Sequence, residues 1–188
     1  MCFMRKSFFP KKAGFSLLEM LIVLAIALLL GGVAFPQLNR YWQSYRLDSA
    51  AQTLASNLEL ARYSAISKAV NVVVAFYPAA FYYESFEDKN GNGIRDTGEV
   101  LLGSFSLPRQ IEFKGAGLLG PPSNPSGPVT DPITFSNDRV VLNSQGKLNA
   151  GLGVIYLQNA MNDAAAISYN IAGRMKTYRW DKSSSSWK

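Results

Sequence analysis

The chain has 188 residues, 48% of them apolar, and a net charge of +6, enough for one domain with a real core plus an appendage. His is absent and Cys occurs once, at Cys2, which excludes Ser-His-Asp and Cys-His triads, Cys/His zinc clusters and any internal disulfide. Four of the six net charges belong to Arg5, Lys6, Lys11 and Lys12 within residues 1–14, which hold no acid, so the body as a whole is not strongly basic. A second basic cluster closes the chain, with Arg174, Lys176, Arg179, Lys182 and Lys188 against Asp181 alone.

Phe15 to Phe35 is a 21-residue stretch with seven Leu, two Ile, two Val and two Phe, and Glu19 as its one ionisable side chain. It is long enough to cross a bilayer as a helix. Its apolar side chains, at roughly −0.3 to −0.6 kcal/mol each, outweigh roughly +2.5 to +3.5 kcal/mol for one acid. The basic tetrad ahead of it predicts an N-terminus held in the cytoplasm and a body exported to the other side. A secretory signal peptide has the same two regions, and Gly32-Val33-Ala34 would serve as its small-x-small cleavage site, giving an exported domain that begins at Phe35. Against that reading, a carboxylate sits inside the apolar run and the helical pattern resumes directly after Pro36.

Lys11-Lys12-Ala13-Gly14, then Phe15-Ser16-Leu17-Leu18-Glu19 and an unbroken apolar run, resembles the class III signal of type IV pilins and type II secretion pseudopilins. The resemblance implies that a prepilin peptidase cuts between Gly14 and Phe15, that the new amine is methylated, and that the apolar segment is retained. It further implies an inner-membrane protein, later part of a pilus or pseudopilus, whose Glu19 pairs with the Phe15 amine of a neighbouring subunit during assembly. The chemistry agrees: Gly14 lets a peptidase approach the backbone closely, and an intramembrane carboxylate needs a partner. A Glu so near the end of the span also has the option of snorkelling to water. Cys2 would leave with residues 1–14.

Beyond Pro36, Leu47, Ala51, Leu54, Leu58, Ala61 and Ala65 recur at spacings of four and three, so residues 36–69 are expected to continue the helix, broken near Gly31 to Pro36, and to bury this stripe on a sheet. Tyr41, Trp42 and Tyr45, just past the span, read as an interfacial aromatic belt or as packing between subunits. From residue 70 to 188 the period falls to two, with strands expected over Asn71–Phe76, Ala80–Phe86, Val100–Leu107, Ile133–Phe135, Gly153–Leu157 and Ala166–Ile171. Residues 114–132 hold five of the nine Pro and four Gly and read as a long surface loop. The fold class expected is α+β, a long N-terminal helix packed on an antiparallel sheet.

Leu58, Ala61-Arg62, Ala65-Ile66, the segment Asp88 to Glu99, Ser144-Gln145-Gly146 and Gly173-Arg174 resemble the narrower GspH/FimT family of minor pseudopilins and minor pilins, with a pilin-like fold and other pilin subunits as partners.

Two further sites are expected. Asp88 to Glu99 fits the calcium-loop pattern D-x-[DN]-x-[DN]-G-x5-E, with oxygens from Asp88, Asn90, Asn92, the Ile94 carbonyl, Asp96 and Glu99 and the turn at Gly93. Its flanks read as strands, so a polar hairpin using Asn-Gly turn chemistry is the other reading. In the last strand, Arg174, Lys176, Tyr178 and Trp180 share a face, with Arg179 beside them, offering cations for phosphates and aromatics for bases. The family resemblance implies DNA binding in natural transformation through a Gly-Arg-x-Arg segment; here Lys176 replaces the second Arg and lacks its planar fork. A solvated edge strand protected by charge is the plain alternative. For an enzyme only a carboxylate pair remains, and Glu87 and Asp88 are adjacent and point to opposite faces of a strand; no catalytic residues are assigned.

Overall fold

The computed structural model describes residues 14–115, 117–121, 127–149 and 151–188. The basic tetrad, Cys2 and all of the expected leader but Gly14 lie outside these residues. The chain divides into two units, residues 1–39 and 40–188.

Helix α1 spans Leu17–Lys68 and consists of two stretches, Leu17–Gly32 and Gln37–Lys68, interrupted where Pro36 removes a backbone donor. In the first unit, side chains such as Leu17, Leu21, Leu24 and Leu28 are exposed. No single helix among the described residues is long and apolar enough to cross a membrane, whereas the two stretches together pass that test.

In the second unit the helix delivers its stripe as expected. Leu47, Ala51, Leu54, Leu58, Ala61 and Ala65 are all buried, joined by Ala50. They pack on Val72, Val74 and Phe76 of strand β1 (Asn71–Tyr77), Val140 and Leu142 of β5 (Arg139–Leu142), Ile155 and Leu157 of β6 (Gly153–Asn159), and Ala165, Ile167 and Tyr169 of β7 (Ala164–Tyr169). Full burial of each Leu stabilises by roughly 1.5–3 kcal/mol. The strand residues alternate because successive side chains leave opposite faces.

The single sheet expected is two. One has the order β3-β2-β1-β5, with β2 at Tyr82–Asp88 and β3 at Leu101–Ser106; the other runs β4-β6-β7-β8-β9, with β4 at Ile111–Phe113, β8 at Met175–Asp181 and β9 at Ser186–Trp187. All the pairings within them are antiparallel. β6 and β7 read as nearly continuous apolar runs because both of their faces are covered: the helix lies on one, and on the other Val154, Tyr156, Ala164 and Ala166 meet Leu118, Val129, Tyr178 and Trp187. Two expectations are corrected here. Ile133–Phe135 makes only a bridge to Ile155, because the Val154 amide donates to the Thr134 hydroxyl instead of its carbonyl and Pro132 has no N–H to continue the ladder. The 114–132 segment, described over 114–115, 117–121 and 127–132, is not purely surface loop, since Leu118 and Val129 are buried under β6.

Candidate functional site

At the N-terminal end, nothing among the described residues lies within 4 Å of where a Cβ on Gly14 would stand. Phe15 and Glu19 are exposed, with Glu19 in the first turn of α1. All three are exposed among the described residues.

The Asp88–Glu99 loop joins β2 to β3, as the strand reading of its flanks requires. Asp88 closes β2 almost fully buried, and its carboxylate accepts the Gly91 amide at 2.8 Å and the Gly93 amide at 2.9 Å. Asn90 and Asn92 accept the amides two residues on, those of Asn92 and Ile94, while Glu99 accepts the Lys89 and Asp96 amides. Gly91 and Gly93 have φ of +77° and +73°, which glycine adopts without cost. The chain thus wraps around the oxygens of its own side chains. The Nδ2 groups of both Asn90 and Asn92, however, donate to Asp96 at 2.7 Å. Among the described residues no three His, Cys, Asp or Glu are placed together to hold a metal. A cation here would need the two amides to turn their oxygens inward.

The expected strip on β8 divides in two. Tyr178, only 6% exposed, packs with Tyr156 and Trp187, and Trp180 stacks edge-on against Trp187. Tyr178 has no open face for a base, and Trp180 is half-buried against Trp187, its cross-strand partner on β9. Arg179 lies on the opposite face and is paired with Asp48 of the helix. Lys182 and Lys188 are likewise paired, with Asp163 and Asp181. Arg174 and Lys176 remain exposed; Lys176 Nζ lies 4.9 Å from the centroid of the Tyr178 ring.

A junction that residue patterning alone leaves unexplained joins three of the family-like segments. Arg62 Nε donates to the Gly146 carbonyl at 3.0 Å, and Gly146 and Gly173 both take positive φ, +71° and +76°. A Cβ on Gly173 would stand 2.5 Å from the Gly146 oxygen and 2.8 Å from Arg62 Nε. Beside it, the Tyr169 hydroxyl is buried with no hydrogen-bond partner among the described residues, and burial raises its pKa far above the ordinary tyrosine value.

Two family models match this chain: the prokaryotic N-terminal methylation motif over residues 9–35 and the type II transport protein GspH over residues 50–173. The chain belongs to the GspH family, a family of pilin-like structural subunits. It is 31% identical over 152 residues to the pilin-like protein PilA1 of Thermus thermophilus, covering 72% of this chain and 96% of that one. Among solved structures, the type IV minor pilin FimU of Pseudomonas aeruginosa aligns at 14% identity and a TM-score of 0.49, over 72% of this chain and 90% of that one. The minor pseudopilin EpsH of the Vibrio cholerae type 2 secretion system aligns at 12% identity and 0.46, over 70% and 95%.

Proposed function

We propose that the chain is a minor pilin or pseudopilin, a structural subunit of a type IV pilus or type II secretion pseudopilus with no catalytic role. It is made as a precursor, cut by prepilin peptidase between Gly14 and Phe15, methylated, and held in the inner membrane by residues 15–35 with the N-terminus cytoplasmic until it joins other subunits. The observation that carries this reading is the coincidence, on one chain, of a methylation motif at residues 9–35 with a GspH match at 50–173. Exposed Glu19 is then free to meet the Phe15 amine of a neighbour, a charge pair worth far more in hydrocarbon than in water. The test uses two variants in cells that carry the peptidase and the other subunits. Gly14→Ile should accumulate the uncut precursor. Glu19→Ala should be cut normally yet fall at least tenfold in the sheared filament fraction; normal incorporation of Glu19→Ala would reject the assembly role.

A second reading, DNA binding during uptake, is favoured by the exposure of Arg174 and Lys176 and is confined to them. The calcium reading is supported by the Asp88 carboxylate, which already turns the loop around itself.

A further inference from the structure

One end of the second unit gathers four cations from three separate parts of the chain. Arg40 and Arg46 lie in its first helical turns, with the exposed aromatics Tyr41, Trp42 and Tyr45 beside them. The turn between β3 and β4 is tied to this level because Gln110 accepts hydrogen bonds from Gln43 and Arg46, which brings exposed Arg109 alongside. The β6–β7 hairpin is tied there too: Asp163 accepts from Ser44 at 3.1 Å and pairs with Lys182 at 2.7 Å, while Lys182 also donates to the Met161 carbonyl. Arg40, Ser44, Met161, Asp163 and Lys182 line an open cavity of about 540 Å³. Asp163 faces this cavity and exposed Glu112 lies beside Arg109, so four cations against two acids leave this surface with a net positive charge.

Chain length fixes what lies opposite. Residues 36–39 separate the apolar run from Arg40, at most about 14 Å of chain at 3.3–3.6 Å per residue. A bilayer's headgroup layer is roughly 5–8 Å deep on each side of the hydrocarbon. Arg40 therefore stays within reach of the phosphates whatever path residues 36–39 take, Tyr41, Trp42 and Tyr45 follow it directly with rings that favour the interface, and Arg46, Arg109 and Lys182 belong to the same end of the domain through Gln110 and Asp163. We propose that this end of the domain is a lipid-binding foot, in which Arg40, Arg46, Arg109 and Lys182 hold the phosphates of anionic lipid headgroups. Arg suits this task through its planar fork of donors. The foot rests on the membrane-anchored reading above, and it gives the subunit a parked position, shed when the helix leaves the bilayer for a filament.

The test is amide hydrogen exchange of the full chain, reconstituted in phosphatidylcholine vesicles with and without phosphatidylglycerol. The account expects exchange at residues 109–110 and 159–163 to slow about fivefold or more in the anionic bilayer, the effect of one basic residue at a charged surface. High salt should abolish the difference, and so should Arg46→Gln with Arg109→Gln. Equal exchange in the two bilayers, in a chain that resists alkaline carbonate extraction, overturns the foot and leaves the anchor standing. A chain that carbonate extracts overturns both. The lipid and salt comparisons need no variant, so they decide the matter even if the substitutions disturb folding.

Discussion

Arg62, late in the long helix, donates its Nε to the carbonyl of Gly146, 84 residues further on, and Gly173 presses its bare Cα side against the same oxygen. The helix, the β5–β6 connection and the β7–β8 turn are thus fastened at one point. The hydrogen bond satisfies a buried carbonyl whose exposure to nothing would cost about 1–3 kcal/mol.

This junction predicts unequal costs for two glycines with the same backbone. At Gly91, with φ +77° and open space around it, alanine should cost about 1–2 kcal/mol for a left-handed residue. At Gly173, with φ +76°, the added Cβ also meets an oxygen at 2.5 Å, so Gly173→Ala should cost about 1–3 kcal/mol more. Urea unfolding of the two variants, read as midpoint shifts at constant slope, compares them; equal shifts would deny the close approach any energetic role.

Much of this architecture is legible in the sequence. The stripe from Leu47 to Ala65 works because a helix buried on one side repeats its apolar residues at three and four, and no distant residue alters that. The strands β1, β2 and β3 are legible as short runs of β-branched and aromatic residues bounded by turn signals, although β1 is apolar on both faces and shows no alternation. What is not legible depends on partners remote in the chain. β4, β5 and β9 are too short to show a period; Leu118 and Val129 sit as isolated apolar residues among Gly and Pro. The aromatic part of the β8 strip is not legible, because alternation shows which residues share a face but not which face is covered, and the cover, Trp187, arrives only with the following hairpin. Gly146 and Gly173 stand out as family-like residues, yet nothing local reveals that they meet.

Acid should weaken the link between helix and second hairpin. Burial works to raise the Asp163 pKa, but hydrogen bonds from Lys182, Asn159 and Ser44, with the Lys182 charge, hold it below the ordinary 3.8. A carboxylate depressed in the folded state contributes stability that is present above its unfolded pKa and lost as pH falls through its folded one. Melting curves should therefore show no Asp163 contribution to pH dependence near neutrality and a loss below about pH 4. Asp163→Asn should remove that part of the acid loss, at a cost near neutrality of about 1 kcal/mol or less for so open an ion pair.

For the β2–β3 loop, calcium at a hundred times its dissociation constant should add about 2.7 kcal/mol of stability to the full chain in detergent. Asp88→Asn should abolish the gain. No thermal shift at millimolar calcium would leave the hydrogen-bonded hairpin as the loop's whole role.

On DNA, Arg174→Ala with Lys176→Ala should weaken retention at moderate salt while leaving the melting temperature unchanged. With two phosphate contacts the binding constant should fall with salt at a slope of only about −1.8. Retention untouched by the double variant would remove this surface as a DNA site.

The central claim is that residues 15–35 are a retained assembly segment and not a discarded export signal. Intact mass and N-terminal sequencing of the protein recovered from its own membranes test it most directly. The account predicts a chain that begins at N-methylated Phe15; a chain that begins at Phe35 would contradict it, taking the Glu19 pairing, the lipid-binding foot and the filament role with it.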